Sequence, residues 1–78
     1  MKTTPKSPLR DIVARNMRML RAERGWSQEY LANECGLNRT YLSAVERSEQ
    51  NISIDNVYRV AKGFGVESWT LLKPESDT

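Results

Sequence analysis

The sequence predicts an all-α fold of five helices in one domain. Three observations support this: the chain has 78 residues, its apolar residues recur at helical spacing, and a serine or asparagine precedes each apolar run as an N-cap would. No alternating run of β-branched residues reaches strand length, and no Asn-Gly or Asp-Gly hairpin turn occurs. We therefore expect residues 8–73 to form the domain, between a flexible arm (1–7) and a frayed tail (74–78).

The first two predicted helices each lie between a serine and a glycine. The first begins at Ser7–Pro8, because serine is a good N-cap and proline suits the first helical position, and it ends at Gly25. The second begins at Ser27 and ends at Gly36, and Trp26 is expected to pack it against the first. The apolar side of the first helix is formed by Leu9, Ile12, Val13, Met17 and Leu20.

Three further helices complete the predicted domain. Asn38 caps the third, which ends near residues 47–48, and Ser53 caps the fourth. The fifth is short, over residues 68–73, and stops at Pro74. The fourth helix is expected to bury Ile54, Val57, Ala61 and Phe64 and to close at Gly63 and Gly65.

Composition argues against several classes of function. Cys35 is the single cysteine and histidine is absent, so an internal disulfide cannot form and a structural zinc site lacks ligands. No Gly-rich phosphate loop, nucleophile–base pair or paired-carboxylate pocket occurs. We expect no enzymatic activity, no catalytic residue, no metal and no cofactor, and we expect Cys35 to be a small buried residue.

Charge is unevenly distributed along the chain. Residues 1–24 hold seven Lys/Arg against two acidic residues, whereas residues 25–78 hold five against eight. A basic part beside an acidic remainder suits a protein that orients itself on a polyanion, although a solvated charged helix would carry the same charges. Neither a secretory signal nor an apolar run of about 18 residues occurs, so we expect a cytoplasmic location.

A helix-turn-helix motif is predicted over residues 28–47. Two helices flank a short turn that contains Gly36, which permits a backbone angle that a side chain would oppose. Ala32 is small where the second helix of the pair crosses close above it, and Leu42 and Val45 anchor that second helix to the core. These features at these spacings are jointly specific for DNA-binding helix-turn-helix domains.

The segments 26–32 and 36–47 resemble the Cro/C1-type (XRE) helix-turn-helix family, and the resemblance extends from Leu9 to Leu72. It implies a compact five-helix lambda-repressor-like DNA-binding domain. More narrowly, residues 39–43 with Glu46, Arg47 and Asn51 are similar to the controller proteins of restriction–modification systems. Those are small homodimers that activate or repress their own operon and the endonuclease gene.

The resemblance therefore implies a homodimeric transcriptional regulator of the bacterial cytoplasm, bound to a near-palindromic double-stranded DNA operator. RNA polymerase is a candidate further partner. No sensing domain is evident, so no small-molecule ligand is expected, and no membrane association is expected. The alternative is an antitoxin-type or phage-type repressor of the same family with a protein partner.

The second helix of the motif is expected to read bases from its N-terminal end, because the major groove admits one α-helix. Arg39 at the first helical position opposes the helix dipole, so its fork is expected to pair with guanine O6 and N7. The alternatives are a phosphate contact or a solvated arginine. Thr40 offers its methyl or hydroxyl to a base. Ala44, one turn on, gives apolar contact or clearance. Tyr41 either contacts DNA or is a half-buried aromatic on the helix shoulder.

A second set of residues is predicted to hold DNA phosphates. Hydroxyls on this surface reach the backbone of the duplex, and the N–H groups at helix N-termini attract anions. By resemblance, Gln28 also braces the base-reading helix, and Glu46 pairs inward with Arg21 of the first helix. The predicted phosphate ligands are Gln28, Ser43, Arg47, Asn51 and Ser53.

The C-terminal end is predicted to form a dimer interface at Val66, Trp69 and Leu72. A domain of this size cannot easily bury all its apolar residues there, and aromatic anchors are typical of interface centres. The alternative is that Trp69 closes the core of the monomer.

Overall fold

The computed structural model describes residues 6–74, and in this range five α-helices follow one another without a strand. They are α1 (Pro8–Arg24), α2 (Gln28–Cys35), α3 (Arg39–Glu46), α4 (Ile54–Phe64) and α5 (Trp69–Leu72). α1 packs against α3 and α5, while α2 packs against α3 and α4. The predicted five-helix, all-α fold is confirmed. Most of the predicted arm (residues 1–5) and tail (residues 75–78) lies outside the described residues.

Side-chain caps define where four of the helices begin. Ser7, Ser27, Asn38 and Ser53 have extended backbones, and each side chain accepts a hydrogen bond from an N–H in the first turn. These bonds satisfy N–H groups that have no partner within the helix. Ser68 has a helical backbone and makes no such bond. α5 is a four-residue turn, shorter than predicted, because Lys73 before Pro74 has an extended backbone.

The core is apolar and draws on all five helices. Leu42 and Val45 are 0% and 1% exposed and anchor α3 to it. Cys35 is buried as predicted, and that burial, with a smaller contribution from Glu34, raises the pKa of its thiol to about 11. The buried cluster comprises Val13, Met17, Leu31, Ala32, Cys35, Leu42, Val45, Val57, Val60, Ala61, Phe64 and Leu71.

Three predictions about apolar side chains are wrong or incomplete. Ile54 is 78% exposed and Leu9 is 48% exposed, because each lies in the first turn of its helix, at the border of a shallow apolar depression rather than in the core. The Trp26 ring contacts Tyr30 of α2 and the Arg24 guanidinium at the end of α1, as expected, and the Trp26 carbonyl accepts a hydrogen bond from Arg21 of α1. The prediction missed α4, where the ring stacks on Phe64 at 5.5 Å between ring centroids.

Gly63 lies inside α4 rather than at its end. The helix closes at Gly65, whose φ is 76°. A Cβ at Gly63 would lie 2.8 Å from Cys35 Sγ and 3.3 Å from the Cys35 backbone nitrogen. Glycine is therefore needed at this position because α2 and α4 approach each other closely.

We expect Gly63→Ala to lower the free energy of unfolding by about 1–2 kcal/mol. The added methyl overpacks the α2–α4 contact by more than the gain of about 1 kcal/mol that alanine brings inside a helix. Urea denaturation measures the change, with Lys62→Ala, at an exposed neighbouring position, as the control. Wild-type stability in Gly63→Ala would show that the two helices are not in such close contact.

None of the helices between residues 6 and 74 is long and apolar enough to cross a membrane.

Candidate nucleic-acid interface

The turn between α2 and α3 sets the direction in which α3 projects. Gly36 ends α2 with a φ of 70°, in the left-handed region that favours glycine, and its N–H donates to the carbonyl of Ala32. Asn38 then caps α3 through a 3.1 Å hydrogen bond from the Tyr41 backbone N–H. Three residues separate α2 from α3, and α3 begins with exposed residues at the surface.

α3 has a buried side and an outward face. Leu42, Val45 and Glu46 are buried, and the remaining positions recur at the spacing of a single helical face. The structure therefore places five of the predicted DNA-contacting residues together. This outward face of α3 consists of Arg39, Thr40, Ser43 and Ala44 together with Arg47, the C-cap residue that follows the helix, all exposed or half-buried.

Arg39 is exposed at the first position of α3. Within residues 6–74 its guanidinium has no hydrogen-bond or ion-pair partner, and the first turn of α3 holds no acidic residue. A cation at this end of a helix is not stabilised by the helix dipole. The Arg39 side chain is therefore available to an acceptor outside the protein.

The opposite end of α3 is fixed through Glu46, which is 2% exposed. Arg21 donates from Nε and Nη2 to the two carboxylate oxygens at 2.8 and 2.7 Å. Gln28 Nε2 donates to Oε1 at 3.0 Å, and Arg18 donates to the Glu46 main-chain oxygen at 2.5 Å. We call these four residues the Glu46 cluster; it ties α3 to α1 and α2.

Charge compensation explains how a carboxylate is accommodated in this interior. Hydrogen bonding to Glu46 raises the pKa of Arg21 above its ordinary value, despite the opposing effect of burial, so the guanidinium stays charged. A buried carboxylate with a bidentate arginine and an amide donor has its charge paired and its hydrogen bonds made. The predicted contact between Arg21 and Glu46 is thus present, and Gln28 joins the same cluster.

Two predicted phosphate ligands contact each other at the end of the outward face. Arg47 Nη1 donates to Ser43 Oγ at 2.5 Å, and Arg47 Nε donates to Glu49 Oε1 at 3.0 Å. The side chains of Arg47 and Glu49 are 54% and 60% exposed, so this ion pair contributes little to stability. Its solvent exposure leaves Arg47 able to exchange partners.

Tyr41 is half-buried, on the shoulder of α3 rather than on its outward face. Its hydroxyl donates to the Asn51 main-chain oxygen at 3.3 Å and accepts from Asn56 Nδ2 at 3.1 Å. The Asn51 side chain accepts a hydrogen bond from Arg10. Ser53 is exposed and caps α4. These contacts hold the loop between α3 and α4 beside the outward face.

Several apolar side chains of α4, of α5 and of the loop between them are exposed or half-buried. Trp69 is 60% exposed, so the alternative in which it closes the monomer core is wrong. On α4, Ile54 and Tyr58 are 78% and 57% exposed; Ile54 borders the same depression as Leu72, and Tyr58 the same depression as Val66. The C-terminal apolar face thus comprises Ile54, Tyr58, Val66, Trp69 and Leu72.

Sequence reasoning missed several members of these surfaces. Arg18 lies three residues before Arg21, a spacing that places both on one side of α1 and could have indicated its role. Tyr58 lies four residues after Ile54, which could have indicated an outer apolar flank on α4. No pattern in the sequence indicated a role for Asn56.

Comparisons with known proteins agree with this geometry. The family model Helix-turn-helix (HTH_3) matches residues 17–68. A hypothetical transcription factor of Neisseria meningitidis serogroup B is 49% identical over 69 residues, which cover 88% of this chain and 65% of that protein. This chain therefore spans less than two thirds of that relative. Control protein C.BamHI of Bacillus amyloliquefaciens is 40% identical over 65 residues, covering 82% of this chain and 80% of that one.

A solved structure with DNA is also similar. It is the tetramer of the restriction-modification controller protein C.Esp1396I in complex with its natural 35 base-pair operator. Its TM-score is 0.77 at 34% sequence identity, covering 83% of this chain and 86% of that chain.

Proposed function

Because the chain belongs to the HTH_3 (XRE) family of helix-turn-helix DNA-binding transcription regulators, we propose that it is a homodimeric operator-binding protein of the restriction–modification controller type. In this role it regulates its own operon by activation or repression. The observation that carries the proposal is the outward face of α3, where Arg39 has no partner within residues 6–74 while the other end of the helix is fixed at Glu46.

Base recognition is assigned to the N-terminal half of α3. The Arg39 fork matches guanine O6 and N7, and Thr40 beside it contacts a thymine methyl. Ala44 lies one turn further along and allows the helix to approach the bases closely. The Tyr41 ring lies at the edge of this surface, where it contacts the DNA while its hydroxyl remains bound to the protein.

Phosphate contacts are assigned to the residues that surround α3. Gln28 and Ser53 stand at the N-termini of α2 and α4, which favour anions. Ser43 and Arg47 reach the backbone from the outward face, and Asn51 reaches it from the loop. These contacts position α3 in the groove without carrying sequence information themselves.

Dimerisation is assigned to the C-terminal apolar face. Exposed apolar patches on small domains mark interaction sites, and Ile54, Tyr58 and Trp69 are the most exposed large apolar residues between residues 6 and 74. A two-fold dimer presents two copies of α3 about 34 Å apart, one helical turn of DNA. The operator-bound tetramer of C.Esp1396I supports an oligomer as the binding species.

Trp69→Glu tests the dimer. We expect the wild-type chain to sediment as a dimer and the variant as a monomer, because a charge at the centre of an apolar interface is left unpaired. The variant should also lose at least about tenfold in affinity for operator DNA, since one module makes few contacts. Met19→Glu changes a residue that is 43% exposed on α1 and serves as the control. A wild-type monomer, or a dimeric Trp69→Glu, would contradict the proposed interface.

The operator itself can be obtained by selection from a randomised duplex library. We expect the wild-type protein to enrich a near-palindrome with two half-sites centred about one helical turn apart. Enrichment of a single half-site would contradict binding as a two-fold dimer.

A further inference from the structure

We propose that Asn56 is a positioning residue for base recognition: through Tyr41, it fixes the base-reading end of α3 relative to the N-terminus of α4. The proposal rests on the function proposed above and adds to it a residue that touches neither bases nor phosphates. The contact that carries it is the 3.1 Å hydrogen bond from Asn56 Nδ2 to the Tyr41 hydroxyl, between residues fifteen positions apart.

This hydrogen bond joins the first turns of two helices. Tyr41 is the third residue of α3, and its backbone N–H donates to the cap Asn38. Asn56 is the third residue of α4, and its backbone N–H donates to the cap Ser53. The two side chains therefore connect the end of α3 that carries Arg39 to the end of α4 that carries a predicted phosphate ligand.

Apart from the shared apolar core, few contacts join α3 directly to α4. α3 packs mainly on α1 and α2, whereas α4 packs mainly on α2. The loop between them contains Ser48 at a φ of 61°, in the left-handed region that costs a non-glycine residue energy. Because the Tyr41 hydroxyl also donates to the Asn51 carbonyl, one phenol holds the loop, α3 and α4 together.

The spacing of these ends matters because base and phosphate contacts must form simultaneously. Phosphate contacts set the register of a protein on the duplex, and base contacts use that register. A supporting hydrogen bond that keeps a recognition side chain in place affects discrimination even when it never touches the ligand. Loss of the Asn56 amide should therefore weaken sequence preference while leaving salt-dependent attraction to DNA intact.

The test compares Asn56→Ala, Tyr41→Phe and the double variant. The affinity of each variant is measured for two duplexes of equal length. One is selected by the wild-type protein from a randomised library, and the other has a random sequence. We expect either single variant to lower the preference for the selected duplex about three- to tenfold, the range for one hydrogen bond. Affinity for the random duplex should stay within about twofold. The double variant should match Tyr41→Phe, because loss of the hydroxyl already removes the bond to Asn56 together with the bond to the Asn51 carbonyl.

Asn33→Ala, at an exposed asparagine of α2, is the matched control and should not change the affinity for either duplex. Thermal unfolding of every variant establishes that the fold is retained. Equal loss on both duplexes, unchanged preference in Asn56→Ala, or additive losses in the double variant would overturn the proposal. Additive losses would show that the two side chains act on DNA separately. If the wild-type protein enriches no sequence from the library, the proposed operator-binding function is contradicted, and the role of Asn56 that depends on it is contradicted as well.

Discussion

Replacing Arg39 with alanine is expected to lower affinity for the selected operator by about 1–3 kcal/mol, while affinity for a random duplex changes little. The guanidinium is exposed at the N-terminus of α3 and has no partner within residues 6–74, so its loss removes no intramolecular contact there. A bidentate pair with guanine discriminates one base pair from another, whereas a phosphate contact does not. Titrations on the two duplexes measure the difference, and sequence preference should relax at one position of each half-site.

Two controls separate base recognition from charge and from phosphate binding. Arg59→Ala removes an exposed arginine of α4, outside the outward face, and should leave preference unchanged. Ser43→Ala should weaken binding to both duplexes by similar factors, because a phosphate contact carries no sequence information. Equal losses on both duplexes for Arg39→Ala would show that Arg39 contacts the backbone and not a base.

Replacing Glu46 with alanine is expected to lower the free energy of unfolding by about 3–5 kcal/mol, the cost of removing one partner from a buried ion pair. Two donors of Arg21 and one of Gln28 would lose their acceptor. Small domains have about 5–15 kcal/mol of total stability, so a substantial part would be lost. Urea denaturation followed by circular dichroism measures it.

Glu49→Ala is the matched control, because Glu49 is also ion-paired with an arginine but is 60% exposed. That pair should contribute about 0–1 kcal/mol. A double variant, Arg21→Met with Glu46→Leu, should recover much of the stability, since it leaves no buried charge without a partner. Similar stability of Glu46→Ala and Glu49→Ala would contradict the structural role of the Glu46 cluster.

Helix boundaries were predictable because their signals are local. Ser7, Ser27, Asn38 and Ser53 each cap within their own first turn, so the residues that decide the boundary are neighbours in sequence. The prediction overextended α5 at its C-terminal end, where Lys73, the residue before Pro74, has an extended backbone. At its N-terminal end Ser68 makes no cap hydrogen bond, and a serine before an apolar run is compatible with either arrangement.

The errors concern packing between helices, which periodicity does not specify. Ile54 continues the apolar spacing of α4 but lies in its first turn, where the neighbouring helices do not cover it. Gly63 resembles a helix terminator, yet its place is set by the approach of Cys35 from α2. In both cases the deciding contact comes from a distant part of the chain.

In the candidate site, too, features within one helix were predictable from the sequence, whereas most contacts between helices were not. The outward face of α3 was predictable, since its members lie on one helix at fixed spacing. The contact between Arg21 and Glu46 was expected by resemblance to a known family, and the bond between Tyr41 and Asn56 was not expected at all. Such links join residues from different helices, and the sequence gives no measure of their distance.

The most direct test of operator binding is a titration of the wild-type protein against the DNA upstream of its own gene, beside a random duplex, at two salt concentrations. We predict a preference of about a thousandfold or more for the upstream DNA, with affinity for both duplexes falling steeply as salt increases. Weak binding of equal strength to both duplexes would contradict control of its own operon and would favour a regulator that acts through a protein partner.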